Sequence, residues 1–250
     1  MKRLKKLKLQ TIADSNVPLA DQIHSMEVSA MRSVRIWFNK KDTAKYISHL
    51  DLTRCMIRAF RRTDIPLWYT EGFNPHPHLV FGLSLPLGVE GLREPLDIRL
   101  NDENYPLERV IEQLNSVMVP GIEFLEIAEP VNKPLAIHSG EYTVQIPCDN
   151  EPKELCEIIK KTISEESITF EKKVKKGGFK TINASEHLKN FHANYTDNSV
   201  NLRFTLPAGN DFTINPVSFC NALFEKIGKK DILHRITRHK LTMKDGTEFK

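Results

Sequence analysis

The sequence predicts an α+β protein of two ferredoxin-like halves in tandem, each a split βαβ unit with helices on one face of an antiparallel sheet. Three observations lead to this prediction. Residues 31–130 read in the order strand, helix, two strands, helix, strand. A proline-containing connection follows at 130–139 and is a natural domain boundary. A similar order of elements then begins again, although the two halves share no alignable sequence.

In the first half, the strand SVRIWF begins at Ser33. Ser48 with Asp51 three residues later forms a capping box, which predicts the start of a helix, and Pro66 ends that helix. Apolar residues at 52, 55, 56 and 59 form the helical face that we expect to meet the core. The remaining elements are the extended segments LWYTEGF and HLVFGLSLP, the strand PLDIRLN, a helix over 107–117 and the strand GIEFLEIAEP.

The second half, residues 138–250, is predicted to be a more irregular domain of the same type. We expect helices over 151–163 and 216–227, a hairpin with the turn KKGG, and a short helix over 185–191. The predicted strands are EYTVQIP, ITFEKKV, FKTIN, NLRFTLP and HRITRHKLTM.

Residues 1–30 are predicted to be a poorly ordered basic extension, because they lack hydrophobic periodicity and contain helix-breaking residues at 14–18. Regular sequence begins directly after Met31, so Met31 is an alternative to Met1 as the natural start. Neither a signal-peptide core nor an apolar run of membrane-spanning length is present. We therefore expect a cytoplasmic protein that does not contact a membrane.

The four cysteines are scattered, which favours reduced thiols over a disulfide framework or a zinc knuckle. Without a CxxxCxxC pattern, the chain cannot itself hold the iron–sulfur cluster of a radical-SAM enzyme. A metal site from His49, His76, His78 and Asp51 is a weaker alternative, because alternate residues of a polyproline-like segment do not share a face. We predict no cofactor and no bound metal.

Four arginines lie on one side of the helix that begins at Ser48, namely Arg54, Arg58, Arg61 and Arg62. At about 100° per residue they span about a quarter of the circumference, well away from the apolar face. Asp51 is the only nearby acid on that side, so three arginines lack an intrahelical partner. Guanidinium groups match phosphate oxygens, which predicts a nucleic-acid contact. The alternative is pairing with acids elsewhere in the fold, such as Glu90 or Glu94.

The run EGFNPHPH is predicted to be a rigid surface segment. Pro75 and Pro77 fix their own backbone and hold Asn74 and His76 in extended geometry. Such a segment can present Asn74 and His76 to RNA in fixed directions. We expect Phe73 to contribute to the core, with stacking on a base as the alternative.

His49 and His76 are also candidates for a general acid or base in RNA cleavage, because imidazole titrates near neutral pH. We favour hydrogen bonding to phosphate or to backbone carbonyls, and for His49 a structural use at the helix start.

Five lysines surround the Gly-Gly turn of the second half and could lie along a nucleic-acid backbone; the alternative is a solvated hairpin. They are Lys172, Lys173, Lys175, Lys176 and Lys180.

The run from Lys45 to Gly91 resembles the bacterial radical-SAM-associated proteins, a family of unknown function. SHLD, RAFRR, GFNPHP and PLG carry the resemblance, which is close over 33–100, loose towards the C-terminus and absent from 1–30. In that family the residue after PHP is usually basic, whereas here it is His78. This difference weakens a functional role for His78 and leaves His76 as the better candidate for a functional histidine. The resemblance implies a radical-SAM protein as partner and implies no catalytic residues.

These features together predict an RNA-binding accessory protein that works with a separate radical-SAM protein in the modification or processing of tRNA or rRNA. One alternative is an RNA-processing enzyme that depends on His49 or His76. Another is an adaptor that binds the radical-SAM chain without RNA.

Overall fold

The computed structural model describes residues 31–173, 177–209 and 211–250. The predicted extension at 1–30 and two of the predicted contact residues, Lys175 and Lys176, lie outside these ranges. Within them the chain forms ten β-strands and four α-helices, and most strand pairs are antiparallel. The prediction of an α+β protein is therefore confirmed.

The first half begins as the sequence predicts. Its elements are β1 (Arg32–Lys40), α1 (His49–Arg61), β2 (Leu79–Phe81), β3 (Val89–Leu100), α2 (Leu107–Val117) and β4 (Ile122–Ala128). Ser48 caps α1, because its Oγ accepts a hydrogen bond from the amide of Asp51 at 3.2 Å and donates one to the Asp51 carboxylate at 2.7 Å. The pKa of Asp51 is lowered, first by this hydroxyl and then by the neighbouring Arg54 and Arg58.

The second half differs from the prediction at one element. Its elements are β5 (Ser139–Pro147), α3 (Pro152–Glu165), β6 (Thr169–Lys173), β7 (Phe179–Asn183), β8 (Lys189–Thr196), β9 (Ser199–Pro207), α4 (Pro216–Lys226) and β10 (Arg235–Thr242). The expected helix over 185–191 is wrong: a turn at 185–187 leads into β8. Pairing of β8 with β9, which joins Thr196 to Ser199 across the hairpin, outweighs the local helical pattern.

Eight strands form one continuous sheet in the order β4-β1-β3-β10-β5-β9-β8, with β2 paired to the C-terminal part of β3. Strands β6 and β7 form a separate two-stranded sheet. The N-terminal part of β3 pairs in parallel with β10, where Val89–Gly91 lie beside Ile236–Arg238. The sheet thus crosses from the predicted first domain into the predicted second domain without a break.

Each half has its own hydrophobic core. In the first, Leu52, Met56 and Ala59 of α1 pack against the inward residues of β1 and β3, as the apolar periodicity predicts. The second core is built in the same way from β5, β9, α3 and α4. A third, smaller cluster covers the other side of β1 and consists of Trp37, Ile137, Ala208, Leu241 and Phe249.

Charged side chains are buried where the halves meet. The Nε of Arg238 donates to Glu94 at 3.0 Å, and the two side chains are only 1% and 3% exposed. Lys40 is also buried, and its ammonium group donates to the carbonyl of Ile47 at 2.6 Å. Burial lowers the pKa of Lys40, with Glu94 opposing and Arg238 adding to that shift. Burial likewise raises the pKa of Tyr142, which lies beside this pair.

Candidate nucleic-acid interface

The predicted arginine face of α1 is at the surface, and all four arginines are exposed. Arg54 forms an ion pair with Asp51 at 3.1 Å, with both side chains more than half exposed. For Arg58 and Arg61, no carboxylate within the described ranges comes as close as 4 Å. These two guanidinium groups are therefore available to an external anion.

Arg62 has a structural contact that distinguishes it from the other three. Its Nη2 donates a hydrogen bond to the carbonyl oxygen of Val117, the last residue of α2. Arg62 thus connects the ends of the two helices that cover the first half of the sheet. The sequence does not separate it from its neighbours, because all four arginines share the same helical side.

The acids that could have neutralised the arginine face have other partners. Glu90 lies 3.3 Å from the ammonium group of Lys45 and 3.8 Å from the guanidinium of Arg235. Glu94 is bound by Arg238. Glu90 and Glu94 therefore do not pair with the arginines of α1, and this alternative is wrong.

The segment Trp68–His78, here called the aromatic hairpin, folds back on itself at the edge of the sheet beside β3. The amide of Thr70 donates to the carbonyl of His76 at 2.9 Å, and the amide of His78 donates to the carbonyl of Trp68 at 3.1 Å. Residues 71–76 form its exposed end. The expectation that Phe73 belongs to the core is wrong: its side chain is fully exposed, because it lies at the turn of this hairpin.

Asn74 and His76 are held at the surface, near the turn of the aromatic hairpin. The Nδ1 of His76 lies 3.1 Å from the Thr70 hydroxyl and 3.2 Å from the carbonyl oxygen of Asn74. The amide of His76 also donates to Thr70 Oγ1 at 3.2 Å. For Nε2 of His76, no hydrogen-bond partner lies among the residues that the structure describes. The imidazole is thus oriented through one nitrogen while the other can meet a ligand.

His49 has a different environment from His76. Its ring packs edge-on against Phe81, the last residue of β2, with centroids 4.9 Å apart. Burial, and to a lesser degree the charge of Lys40, lowers the pKa of His49, so its imidazole is neutral near pH 7. His49 contacts Phe81 and His76 contacts Thr70, and within the described residues no hydrogen bond joins these two candidate acid–base residues.

The lysine hairpin, formed by β6 and β7, carries the three described members of the second basic cluster. Lys172 pairs directly with Lys180 across the hairpin, and Lys173 pairs with Phe179. The Nζ of Lys172 donates to the carbonyl of Thr213 at 2.9 Å, so this lysine also anchors its hairpin to the second half. Like charges that face each other across two strands are unfavourable unless an anion lies nearby.

A cleft of about 700 Å³ lies outside all of the predicted site residues. It opens between the connection at 135–139 and the ends of β8 and β9, and His138, His187, Lys189 and Lys244 contribute to its walls. Its residues come from four separate parts of the chain, so no sequence spacing indicates it. Across the described residues, no group of three or more His, Cys, Asp or Glu side chains is placed to hold a metal ion.

The described helices include none that is both long and apolar enough to cross a lipid bilayer. Over residues 31–173, 177–209 and 211–250, the fold and the surface define an α+β protein with two exposed arginines on one helix that have no carboxylate partner there, and with an exposed aromatic ring on one hydrogen-bonded hairpin. The chain belongs to a bacterial family described as "uncharacterized protein conserved in bacteria" (DUF2344), which it matches over residues 33–216. The matched region includes both SHLD and GFNPHP, and an association with radical-SAM proteins stays a prediction.

Comparison with curated proteins gave no match. Among solved structures, one similar chain is in the crystal structure of a Cbf5-Nop10-Gar1 complex, with a TM-score of 0.43 and 11% identity over 92% of this chain and 54% of that chain. This protein thus spans about half the length of that chain. An unknown protein from Galdieria sulphuraria gives a TM-score of 0.25 and 13% identity, over 83% of this chain and 98% of the other. Similarities at this level carry no argument about this protein.

Proposed function

We propose that the protein is a cytoplasmic RNA-binding accessory that works with a separate radical-SAM protein in the modification or processing of tRNA or rRNA. The observation that carries the proposal is the exposure of Arg58 and Arg61 on a capped helix, without a carboxylate within 4 Å in the described chain. An arginine fork binds phosphate oxygens through two parallel hydrogen bonds, and an exposed pair on a helix can follow a nucleic-acid backbone.

The cost of the like charges supports an anionic ligand. Arg58 lies one turn from both Arg54 and Arg61, and same-sign pairs at this spacing destabilise a helix by a few tenths of a kcal/mol each. Among the residues that the structure describes, a carboxylate offsets Arg54 and neither of the other two. Lys172 opposite Lys180 repeats this situation on the lysine hairpin. A phosphate backbone would relieve both repulsions.

A separate radical-SAM partner is supported by the motifs SHLD and GFNPHP and by the cysteines. All four thiols are free; Cys156 and Cys220 are buried, and Cys55 and Cys148 are half-buried. Burial raises the pKa of Cys220, which keeps the group as a protonated thiol, and a protonated thiol is a poor metal ligand. Any iron–sulfur chemistry in the reaction would therefore belong to another chain.

The proposal includes two ferredoxin-like halves, and the strand orders support it. Residues 31–128 have the order β4-β1-β3-β2, and residues 139–242 have the equivalent order β10-β5-β9-β8, with the lysine hairpin inserted. In each half, one helix follows the first strand in chain order (β1 or β5) and the other follows the third (β3 or β9, leaving out the lysine hairpin), as in a split βαβ unit.

The experiment measures binding of the protein to tRNA and to rRNA fragments as a function of salt. Arg58→Gln combined with Arg61→Gln should weaken binding about tenfold and reduce the slope of log K against log salt by about 1 to 2, because two phosphate contacts are lost. The control is Lys160→Gln with Lys161→Gln, which removes two charges from α3 that have glutamates as partners. Equal binding by the arginine variant and the wild type would contradict the proposal.

A second candidate function, an RNA-processing enzyme, is favoured by the geometry of His76. Its Nδ1 is oriented by Thr70 and Asn74, and an imidazole held in this way can transfer a proton through Nε2. RNA cleavage by the pure protein, with and without chelator, should then be lost in His76→Ala and kept in His192→Ala, which changes another exposed histidine. Absence of cleavage under both conditions would exclude this candidate.

A further inference from the structure

We propose that the aromatic hairpin binds unpaired bases of single-stranded RNA, with Phe73 stacked on a base. This inference rests on the proposed RNA-binding function and specifies it in two ways. It makes single-stranded RNA the ligand, and it assigns base contacts to the hairpin and phosphate contacts to α1.

The first observation is the exposure of Phe73. Its side chain is 113% exposed, which means that the whole ring is in water. Single apolar residues at a surface are common, but most retain a partial contact with the fold. A phenyl ring with both faces open is the geometry that a stacked base requires.

The second observation is that the ring is carried by a rigid turn. Thr70 and His76 are joined by a backbone hydrogen bond and by two contacts through the Thr70 hydroxyl. Gly72 adopts a φ of +119°, which a residue with a side chain rarely adopts, and Pro75 fixes its own backbone. Because the hairpin is already ordered, little conformational entropy is lost when a ligand binds to Phe73.

The third observation is the aromatic composition of the hairpin that carries Phe73. The arms of the hairpin carry Trp68, which packs edge-on with His78 at 5.6 Å and lies under the guanidinium of Arg99 at 5.4 Å. Tyr69 is partly exposed on the same hairpin. Aromatic rings together with an arginine are typical of surfaces on which successive bases stack.

The charge of the hairpin separates base binding from phosphate binding. Residues 68–78 contain no lysine or arginine and include one acid, Glu71. The hairpin therefore carries no lysine or arginine charge with which to attract a phosphate backbone by itself. Asn74, beside Phe73, offers an amide that can hydrogen-bond to a base edge. A ring that can stack, beside a polar amide, fits an RNA base better than it fits the apolar pocket of a protein partner. We therefore assign a base as the ligand of Phe73.

The experiment compares two probes of equal length, a single-stranded RNA and an abasic strand with the same phosphates. Phe73→Ala should weaken binding of the RNA about tenfold and leave binding of the abasic strand unchanged. The control is Leu233→Ala, which removes another exposed apolar side chain and should bind both probes as the wild type does. In Phe73→Trp, stacking should quench the added indole emission with RNA and not with the abasic strand.

The outcomes separate this inference from the proposed function. If the wild type binds neither probe, RNA binding itself is wrong. If the wild type binds RNA and Phe73→Ala binds each probe as tightly as the wild type does, only the assignment of Phe73 is overturned. If Phe73→Ala binds RNA as the wild type does but no longer co-purifies with a radical-SAM protein, the assignment of Phe73 to a base is also overturned. Phe73 would then bind in a pocket of that protein.

Discussion

Arg238 on β10 binds the carboxylate of Glu94 on β3, and both side chains are buried where the two halves of the sheet meet. The residues are 144 positions apart in the chain. The Glu94 carboxylate also interacts electrostatically with a second buried cation, Lys40, and this interaction opposes the lowering of the Lys40 pKa by burial. Glu94 is thus the acid that compensates buried positive charge at the junction.

Replacing Glu94 by glutamine should destabilise the protein by about 3–5 kcal/mol, because Arg238 and Lys40 would stay buried without their counter-charge. The free energy of unfolding in urea measures this effect. Glu157→Gln is the control, since it removes an exposed partner of Lys160 and should change stability far less. Replacing both members of the pair, by Glu94→Leu with Arg238→Met, should recover part of the loss; a double variant less stable than Glu94→Gln would contradict this account.

Gly91→Ala should destabilise the protein by about 1–3 kcal/mol through its effect on Glu94. A Cβ at this position would lie 2.5 Å from Glu94 Oε1 and 2.6 Å from Glu94 Cγ, and the carboxylate cannot move freely because Arg238 holds it. A double-mutant cycle in urea tests the cause. In a Glu94→Ala background the added methyl group should cost almost nothing, and an undiminished cost there would point to another clash.

Arg62→Gln should lower the free energy of unfolding by about 1 kcal/mol, because it removes the hydrogen bond to Val117 that connects α1 and α2. Arg61→Gln is the matched control on the same helix turn; it should weaken RNA binding and raise stability by no more than a few tenths of a kcal/mol, because it only relieves the repulsion from Arg58. Thermal and urea unfolding of the two variants gives the comparison. Equal stability of the two variants would show that the contact of Arg62 adds nothing.

Stability should fall as the pH decreases through about 6.5, the ordinary pKa of histidine. Burial lowers the pKa of His49, His78 and His239 in the folded protein, so the unfolded chain binds more protons in this window and is favoured by acid. Urea midpoints between pH 7.5 and pH 5 measure the effect. His49→Gln should reduce the slope, and a midpoint that stays constant or rises towards pH 5 would contradict the prediction.

Local signals predict the elements best in the first half. The capping pair at Ser48 and the apolar positions Leu52, Met56 and Ala59 give both the start of α1 and its buried face, because these depend on neighbouring residues only. Strand β8 is missed for the opposite reason. Its conformation depends on pairing with β9, and the residues before it have an equally good local pattern for a helix.

The candidate site is only partly predictable from the sequence. The arginine face follows from helical spacing, but the separate contact of Arg62 depends on where α2 ends. The exposure of Phe73 depends on a turn that projects from the sheet, whereas an aromatic residue in sequence is expected to be buried. From the sequence, Glu94 and Arg238 are expected to be ordinary polar residues of strands. Their buried ion pair cannot be predicted, because no neighbouring residue indicates that the two will meet.

Strand β10 occupies the middle of the sheet, between β3 and β5, although residues 235–242 come late in the chain. During translation, β3 and β5 therefore each keep an open edge until these residues have left the ribosome. Open edges of this kind recruit other strands and promote aggregation. A polypeptide released before residue 235 would be a substrate for chaperones and proteases, so cells would accumulate only molecules in which the last strand has been inserted.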